Sequence, residues 1–305
     1  MDEDFKQRCL KDLLPRKGHK ENSINAAAER RLQHLKHLIM KSDDHAILLS
    51  CEELTNDLEF ELGWRSLTKL RNFFSEVERD IQIVVYVRNP VDYYLSRMQE
   101  VLKSRSRIIS PDRFNSRMAW VISQYEMAFD TPLRVRTFSP AGLVGGSVSS
   151  DFWSSIHDII RVHPSEIIES KVNESLSAEV MWALDALREY PESQKLPVRL
   201  NSDENRILWK NFQQVDLKMG TSGKPKLYAC AARKISICSS IDTAKLAEKY
   251  KVFFGDHCAL DIDNPLPKDR RLVPVEGIVP VDRERALALI AVVAARGIKA
   301  IAGSK

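Results

Sequence analysis

Apolar positions in the first half of the chain keep two spacings in turn. Between about Ser23 and Lys41, Ala28, Leu32, Leu35 and Ile39 recur at helical intervals, and the apolar run from Ala46 to Ser50 then reads as a strand. A helix over about Ser66 to Val77 precedes a second run, Ile81 to Val87, which is almost wholly apolar and rich in β-branched residues. That composition predicts a strand covered on both faces in a parallel sheet. Val91, Leu95, Met98 and Leu102 then fall at i, i+4, i+7 and i+11 and predict one apolar stripe, with Asp92, Ser96, Gln99 and Lys103 on the neighbouring face. The helix start is specified locally by Asn89 as N-cap, Pro90 in the first turn and Asp92 near the positive end of the dipole. A helix around Asp112 to Ala128 and a strand at Leu133 to Phe138 continue the alternation. Helices and strands in turn predict an α/β fold, a parallel sheet flanked by helices with right-handed crossovers. From Ser147 onward the pattern is mainly helical: Val148 to His157, Leu176 to Tyr190, Asp203 to Lys218 and Ile241 to Phe254, with Pro191 and Glu192 to Lys195 as a loop.

Arg88 falls at the carboxyl end of the Ile81 strand and Ser96 on the helix that follows. In open α/β sheets the crevice beyond the strand ends is where ligands bind. A guanidinium there offers a rigid fork that fits a phosphate bidentately, and a hydroxyl two turns along the helix adds one hydrogen bond. The competing reading is that Arg88 pairs with Asp92 or another carboxylate and that Ser96 is simply a tolerated helix residue. Spacing alone leaves both open.

The stretch Val84 to Glu100, with Arg88-Asn89-Pro90 and Ser96 in order and spacing, resembles the 3′-phosphate-binding motif of sulfotransferases that use 3′-phosphoadenylyl sulfate (PAPS). Ala46 to Leu54, Val135 to Phe138 with Leu143 to Gly146 and Asp151-Phe152, Val172 to Ser177, and Phe253 to Asp256 resemble further segments of the bacterial branch of that family. The resemblance covers roughly Phe5 to Pro267. It implies a P-loop NTPase-like fold, with Arg88 and Ser96 holding the donor's 3′-phosphate. It also implies PAPS as sulfuryl donor, no metal, and a hydroxyl or amine on a small-molecule or glycan acceptor. Nothing matches the family's Gly- and Thr-containing loop with a Lys, which cradles the 5′-phosphosulfate; only a helix, Asp4 to Leu13, precedes Leu13 to His19. The sequence therefore reads as an N-terminally truncated member. Backbone amides at a helix start plus a Lys would neutralise the leaving phosphate during transfer. Two family readings follow, a transferase and a catalytically inactive homologue that binds 3′-phosphoadenosine 5′-phosphate or a protein partner. A third keeps Arg88 structural in an α/β protein unrelated to nucleotides.

Gly220-Thr221-Ser222-Gly223-Lys224 does not replace the missing loop. A phosphate loop needs four residues between its glycines, Ser or Thr after the Lys and a strand before it. Here two residues intervene, Pro225 follows and a helical stretch precedes, so the segment reads as a flexible turn.

Transfer to a hydroxyl or amine needs a base near the acceptor. The resemblance places His19, in Gly18-His19 after the first helix, in that role; the alternative is an exposed loop histidine. Glu52, just past a strand end, is a second candidate whose competing role is to begin a helix. His34 and His37 share a helix face opposite the leucine stripe without a third ligand nearby, which favours exposure over metal binding. His157, His163 and His257 carry no argued role.

Composition narrows the setting. The 305 residues, 44% hydrophobic and 29% charged, suit one large globular domain or two small ones. The resemblance implies an N-terminally truncated sulfotransferase-like domain over residues 1–267, and leaves residues 268–305 as a C-terminal extension with a helix from Arg283 to Arg296. Its apolar stretch Ala286 to Ala295 is too short for a bilayer and reads as a docked helix, and no secretion signal opens the chain. Five scattered cysteines without a Cys-x-x-Cys pair fit a reducing cytoplasm. A net charge of +4 is too small to argue for nucleic acid, and the Lys103, Arg105, Arg107, Arg113 and Arg117 cluster lacks interleaved aromatics. Such clusters are mostly solvated helix faces; in a sulfotransferase this one would attract an anion by local field.

Overall fold

Helices α1 (Glu21–Lys41) and α2 (Gly63–Ser75) form close to where the leucine spacing and the Ser66 to Val77 pattern predict them. The computed structural model describes residues 21–42, 48–50, 63–77, 80–104, 107–139, 142–160, 175–193, 200, 202–220, 223–255, 259–260, 262 and 271–302. The chain divides into two compact units, Met1–Ile83 with Ser123–Leu133, and Val84–Ile122 with Arg134–Lys305. In the first, Ile39 of α1 is buried with Phe73 of α2 and Val77, and Leu35 and Phe74 pack against them. Lys36 and Glu76 meet at 2.6 Å as a surface ion pair. His34 and His37 are exposed, as their position off the stripe predicts. The strand expected at Ala46 to Ser50 is corrected where it is described: residues 48–50 carry no strand, and Leu48 and Leu49 are about half exposed, 51% and 49%. Among the described residues no strand pairs with this run, so it has no ladder to join.

In the second unit β1 (Val84–Val87) leads into α3 (Pro90–Lys103), and α4 (Met118–Phe129), which begins here, precedes β2 (Arg134–Thr137). β1 and β2 are parallel, with Val84 opposite Arg134 and Tyr86 opposite Arg136. Then follow α5 (Val148–Ser155), α6 (Ala178–Ser193), α7 (Ser202–Lys218), β3 (Leu227–Tyr228), α8 (Ala229–Cys238), α9 (Ser240–Tyr250), β4 (Ala259–Leu260) and α10 (Arg283–Ala302). β3 and β4 form a second short parallel ladder. The protein is thus mixed α/β and rich in helix, with parallel strands as the alternation predicts. Coverage of β1 is less complete than its composition predicts: only Val87 is fully buried, and Val84 to Tyr86 are half-buried. On one face of the ladder the partners of Val84 and Tyr86 are the charged Arg134 and Arg136.

The core grows from α3. Val91, Leu95, Met98 and Leu102 form the predicted stripe; with Tyr94, which the spacing leaves out, they are buried with Met181 and Leu184 of α6, Phe212 and Val215 of α7, and Ile235 of α8. Gln99 departs from the predicted polar face. It is buried, and its Oε1 accepts the Leu176 amide at 2.9 Å just before α6 begins. Val273, Val275, Ile278 and Val279 join the same core, and α10 docks on it through Leu289, with Ile290 and Val293 alongside. The helix expected from Asp112 to Ala128 is broken. Pro111–Arg113 make a single 3-10 turn, Arg117 takes a left-handed φ of 49°, and regular helix starts at Met118.

Arg105 of the basic cluster lies outside the described residues, and three of the others are engaged. Arg107 pairs with Asp185 and Glu189, Lys103 with Glu100, and Arg117 stacks on Trp120. At the Gly220 to Lys224 segment, Gly220 and Gly223 have φ values of 75° and 91°, which suits a turn.

Candidate anion site at the end of β1

Asn89 shapes the turn from strand to helix. Its Oδ1 accepts the Val91 amide at 3.0 Å, its carbonyl accepts the Tyr93 amide at 2.8 Å, and Pro90 fills the first helical position. Its Nδ2 donates to the Gly255 carbonyl at 3.3 Å. Arg88 is thereby held at the junction, half-buried.

Side chains two apart on a strand share a face. The register puts Arg134, Tyr86 and Arg136 on one face of the ladder, and the Phe138 amide, donating to the Val87 carbonyl at 2.7 Å, extends that face to Arg88 and Phe138. Three guanidinium groups therefore share it. Arg134 is bidentate to Asp158 at 2.8 and 2.6 Å and also donates to the Ser155 carbonyl. Arg136 is bidentate to Asp151 at 2.5 and 2.6 Å. Arg88 instead lies over the Phe138 ring, 5.4 Å from its centroid. Among the described residues no carboxylate pairs with Arg88, so the alternative of an Arg88–Asp92 pair is not realised there.

Asp151 is fully buried and takes four donors: the two from Arg136, the Tyr86 hydroxyl at 2.7 Å and the Val144 amide at 3.0 Å. Burial alone raises its pKa, but the bonds from Arg136, Tyr86 and Val144, with the Arg136 charge, outweigh burial and bring it from 3.8 to about 2. Burial, then the bond to Asp151 and its charge, push the Tyr86 phenol well above its ordinary value. At neutral pH the cluster is an ionised carboxylate held by a neutral phenol, an anchor and not a proton relay. Because folding lowers the Asp151 pKa, its contribution to stability is complete above the unfolded value of 3.8 and is lost as pH falls through about 2. Stability is expected to drop by about 2 kcal/mol between pH 5 and pH 1.5 from this group. Urea midpoints of the native chain and Asp151→Asn across that range check it: the difference between them should shrink as the pH falls.

Ser96 is half-buried on α3, one turn beyond Asp92, and no hydrogen bond joins it to Arg88. The structure brings the two onto one strand–helix unit. His19 and Glu52 lie outside the described residues. Phe138 and Asp151, which sequence reasoning left without a role, belong to the site. The alternation of Arg134, Arg136 and Phe138 on a strand was the available signal, since charges brought toward a covered face call for carboxylates on whatever packs there.

A cleft of about 410 Å³ adjoins the junction, lined by Asn89 and Pro90, by Thr243 and Ala247 of α9, and by Phe253 and Phe254. Phe253 is 70% exposed. The Thr243 hydroxyl is engaged with the Ser240 carbonyl at 2.9 Å, so the walls offer mostly apolar and aromatic surface, suited to a flat ring. A larger cleft of about 570 Å³ lies by the starts of α6 and α10. There Lys224 and Lys226 face Glu179 and Asp282, and the mixed charge selects no ligand sign. Among the described residues no group of three or more His, Cys, Asp or Glu is placed to hold a metal ion, and no helix is long and apolar enough to cross a membrane. Set beside known proteins, the chain matches no family model, no curated protein and no solved structure.

Proposed function

We propose that the chain is a bacterial-type, cytoplasmic sulfotransferase-like protein of P-loop NTPase-like fold that binds PAPS through its 3′-phosphate at Arg88 and Ser96. One observation carries this reading. Of the three arginines on the β1–β2 face, Arg134 and Arg136 are neutralised by Asp158 and Asp151, while Arg88 has an aromatic ring and no described carboxylate. A cation left uncompensated at a strand end, with a hydroxyl on the following helix, suits a dianionic phosphate. In the transfer, an acceptor oxygen or nitrogen attacks the sulfur and the bond from sulfur to the phosphate oxygen breaks. 3′-Phosphoadenosine 5′-phosphate leaves, and the acceptor proton passes to a base, the role given to His19.

Thermal shift tests the donor site. At 100 times its dissociation constant a ligand adds about 2.7 kcal/mol of stability. 3′-Phosphoadenosine 5′-phosphate is expected to raise the melting temperature, and adenosine 5′-phosphate, which lacks the 3′-phosphate, to raise it far less. Arg88→Ala should remove that difference. An intact shift in Arg88→Ala would show that the site is misassigned.

A further inference from the structure

We infer that Asp151 is a positioning residue for Arg88: bonded at once to β1, to β2 and to the loop after β2, it sets where the guanidinium stands over Phe138. The Tyr86–Arg136 pair that Asp151 grips lies one pleat repeat, about 7 Å, before the level of Arg88 and Phe138. The ladder joining β1 to β2 is four residues long, and short two-stranded ladders are marginal on their own. A buried carboxylate that takes hydrogen bonds from both strands closes the ladder near the end that carries Arg88. Its fourth bond, from the Val144 amide, ties the chain beyond β2 to the same carboxylate, and the Phe138 amide on the Val87 carbonyl keeps the ring at the level of Arg88. Asp151 need not touch a ligand for this.

A guanidinium over an aromatic ring has its Nε–Hε signal displaced by the ring current, which reads the placement without any ligand. The experiment uses the full chain labelled with ¹⁵N-arginine, the Arg88 signal being assigned by its loss in Arg88→Lys. A displaced signal is expected in the native chain, and Phe138→Leu should abolish the displacement. Asp151→Asn should move the signal at least halfway to the unstacked position, while Leu289→Ala, a core truncation in α10, should leave it in place. The inference is overturned by a native signal without displacement, by an unmoved signal in Asp151→Asn, or by an equal movement in Leu289→Ala. Should Asp151→Asn not fold, Tyr86→Phe removes one of the four donors and is expected to move the signal in the same sense.

The consequence for binding rests on the reading of Arg88 as the phosphate ligand. Asp151→Asn should weaken 3′-phosphoadenosine 5′-phosphate about tenfold and leave adenosine 5′-phosphate unchanged, a selectivity loss that general destabilisation does not produce. If the native chain binds both nucleotides equally while the Arg88 signal follows Asp151, the phosphate reading falls and the positioning role stands.

Discussion

Asp242→Ala will lower the stability of the protein by about 3 kcal/mol, from the loss of three hydrogen bonds to one buried carboxylate. Asp242 sits in the first turn of α9, is 8% exposed, and caps a different helix. Its Oδ2 accepts the Ser116 hydroxyl at 2.6 Å and the Met118 amide at 2.8 Å, and its Oδ1 accepts the Ala119 amide at 2.9 Å. These are the opening amides of α4, donors that no earlier turn of helix can satisfy. Arg117 immediately before them is in the left-handed region, a cost of about 1 kcal/mol for a residue with a Cβ. Truncation leaves a buried hydroxyl and two amides without their acceptor, each worth about 1 kcal/mol or more. Asp242→Asn keeps one carbonyl oxygen and should cost about half as much. Urea denaturation is the measurement: the midpoint should fall at unchanged slope. A loss under about 1 kcal/mol in the alanine variant would mean that water replaces the cap. Because Thr243, Ala244 and Ala247 of α9 line the cleft beside Asn89, the alanine variant should also loosen that wall.

The same residues show what the sequence can and cannot reveal. The start of α3 is legible because every determinant is local: cap, proline, acidic first turn and apolar stripe lie within Asn89 to Leu102, and the structure realises each. Arg88 and Ser96 take their places from that local code. The break before Met118 is hidden because its cap arrives from 124 residues away. Gln99 reads as polar and outward, yet it turns inward to meet an amide 77 residues on. Phe138 and Asp151 gain their roles only when β1 and β2 pair, since Tyr86 and Asp151 stand 65 residues apart in the chain. Helix α8 escapes the apolar count because its buried face is Ala231, Ala232 and Ile235, two of them too small to mark a stripe. Two-residue strands such as β3 and β4 carry no periodicity at all. Local chemistry thus announces the turn that carries Arg88 and Ser96, while the bonds that surround Arg88 on the β1–β2 face are long-range pairs.

Arg285→Met is expected to destabilise the protein by about 3 to 4 kcal/mol, and adding Asp216→Leu should restore at least half of that loss. Arg285 in the first turns of α10 bonds Asp216 of α7 at 2.6 Å, with the side chains only 18% and 5% exposed. The same guanidinium reaches the Asp216 and Met219 carbonyls at the carboxyl end of α7, both at 3.4 Å, where a cation also meets the negative end of the helix dipole. Removing Arg285 alone strands a carboxylate that is 5% exposed without its counter-ion. Removing both charges leaves apolar surface in a setting that already accepts it, beside the buried Val215 and Ala286. The pair is not ideally satisfied even when intact, because Arg285 Nε is buried without a hydrogen-bond partner among the described residues. Desolvation of the two ions therefore offsets much of their attraction. A double-mutant cycle in urea reads the coupling directly. Additive losses in the double variant would show that Arg285 acts through the α7 carbonyls and not through Asp216; a recovery of about 2 kcal/mol would show that the single loss comes from the stranded Asp216 carboxylate and that the apolar contacts of Leu289 keep α10 docked without the ion pair.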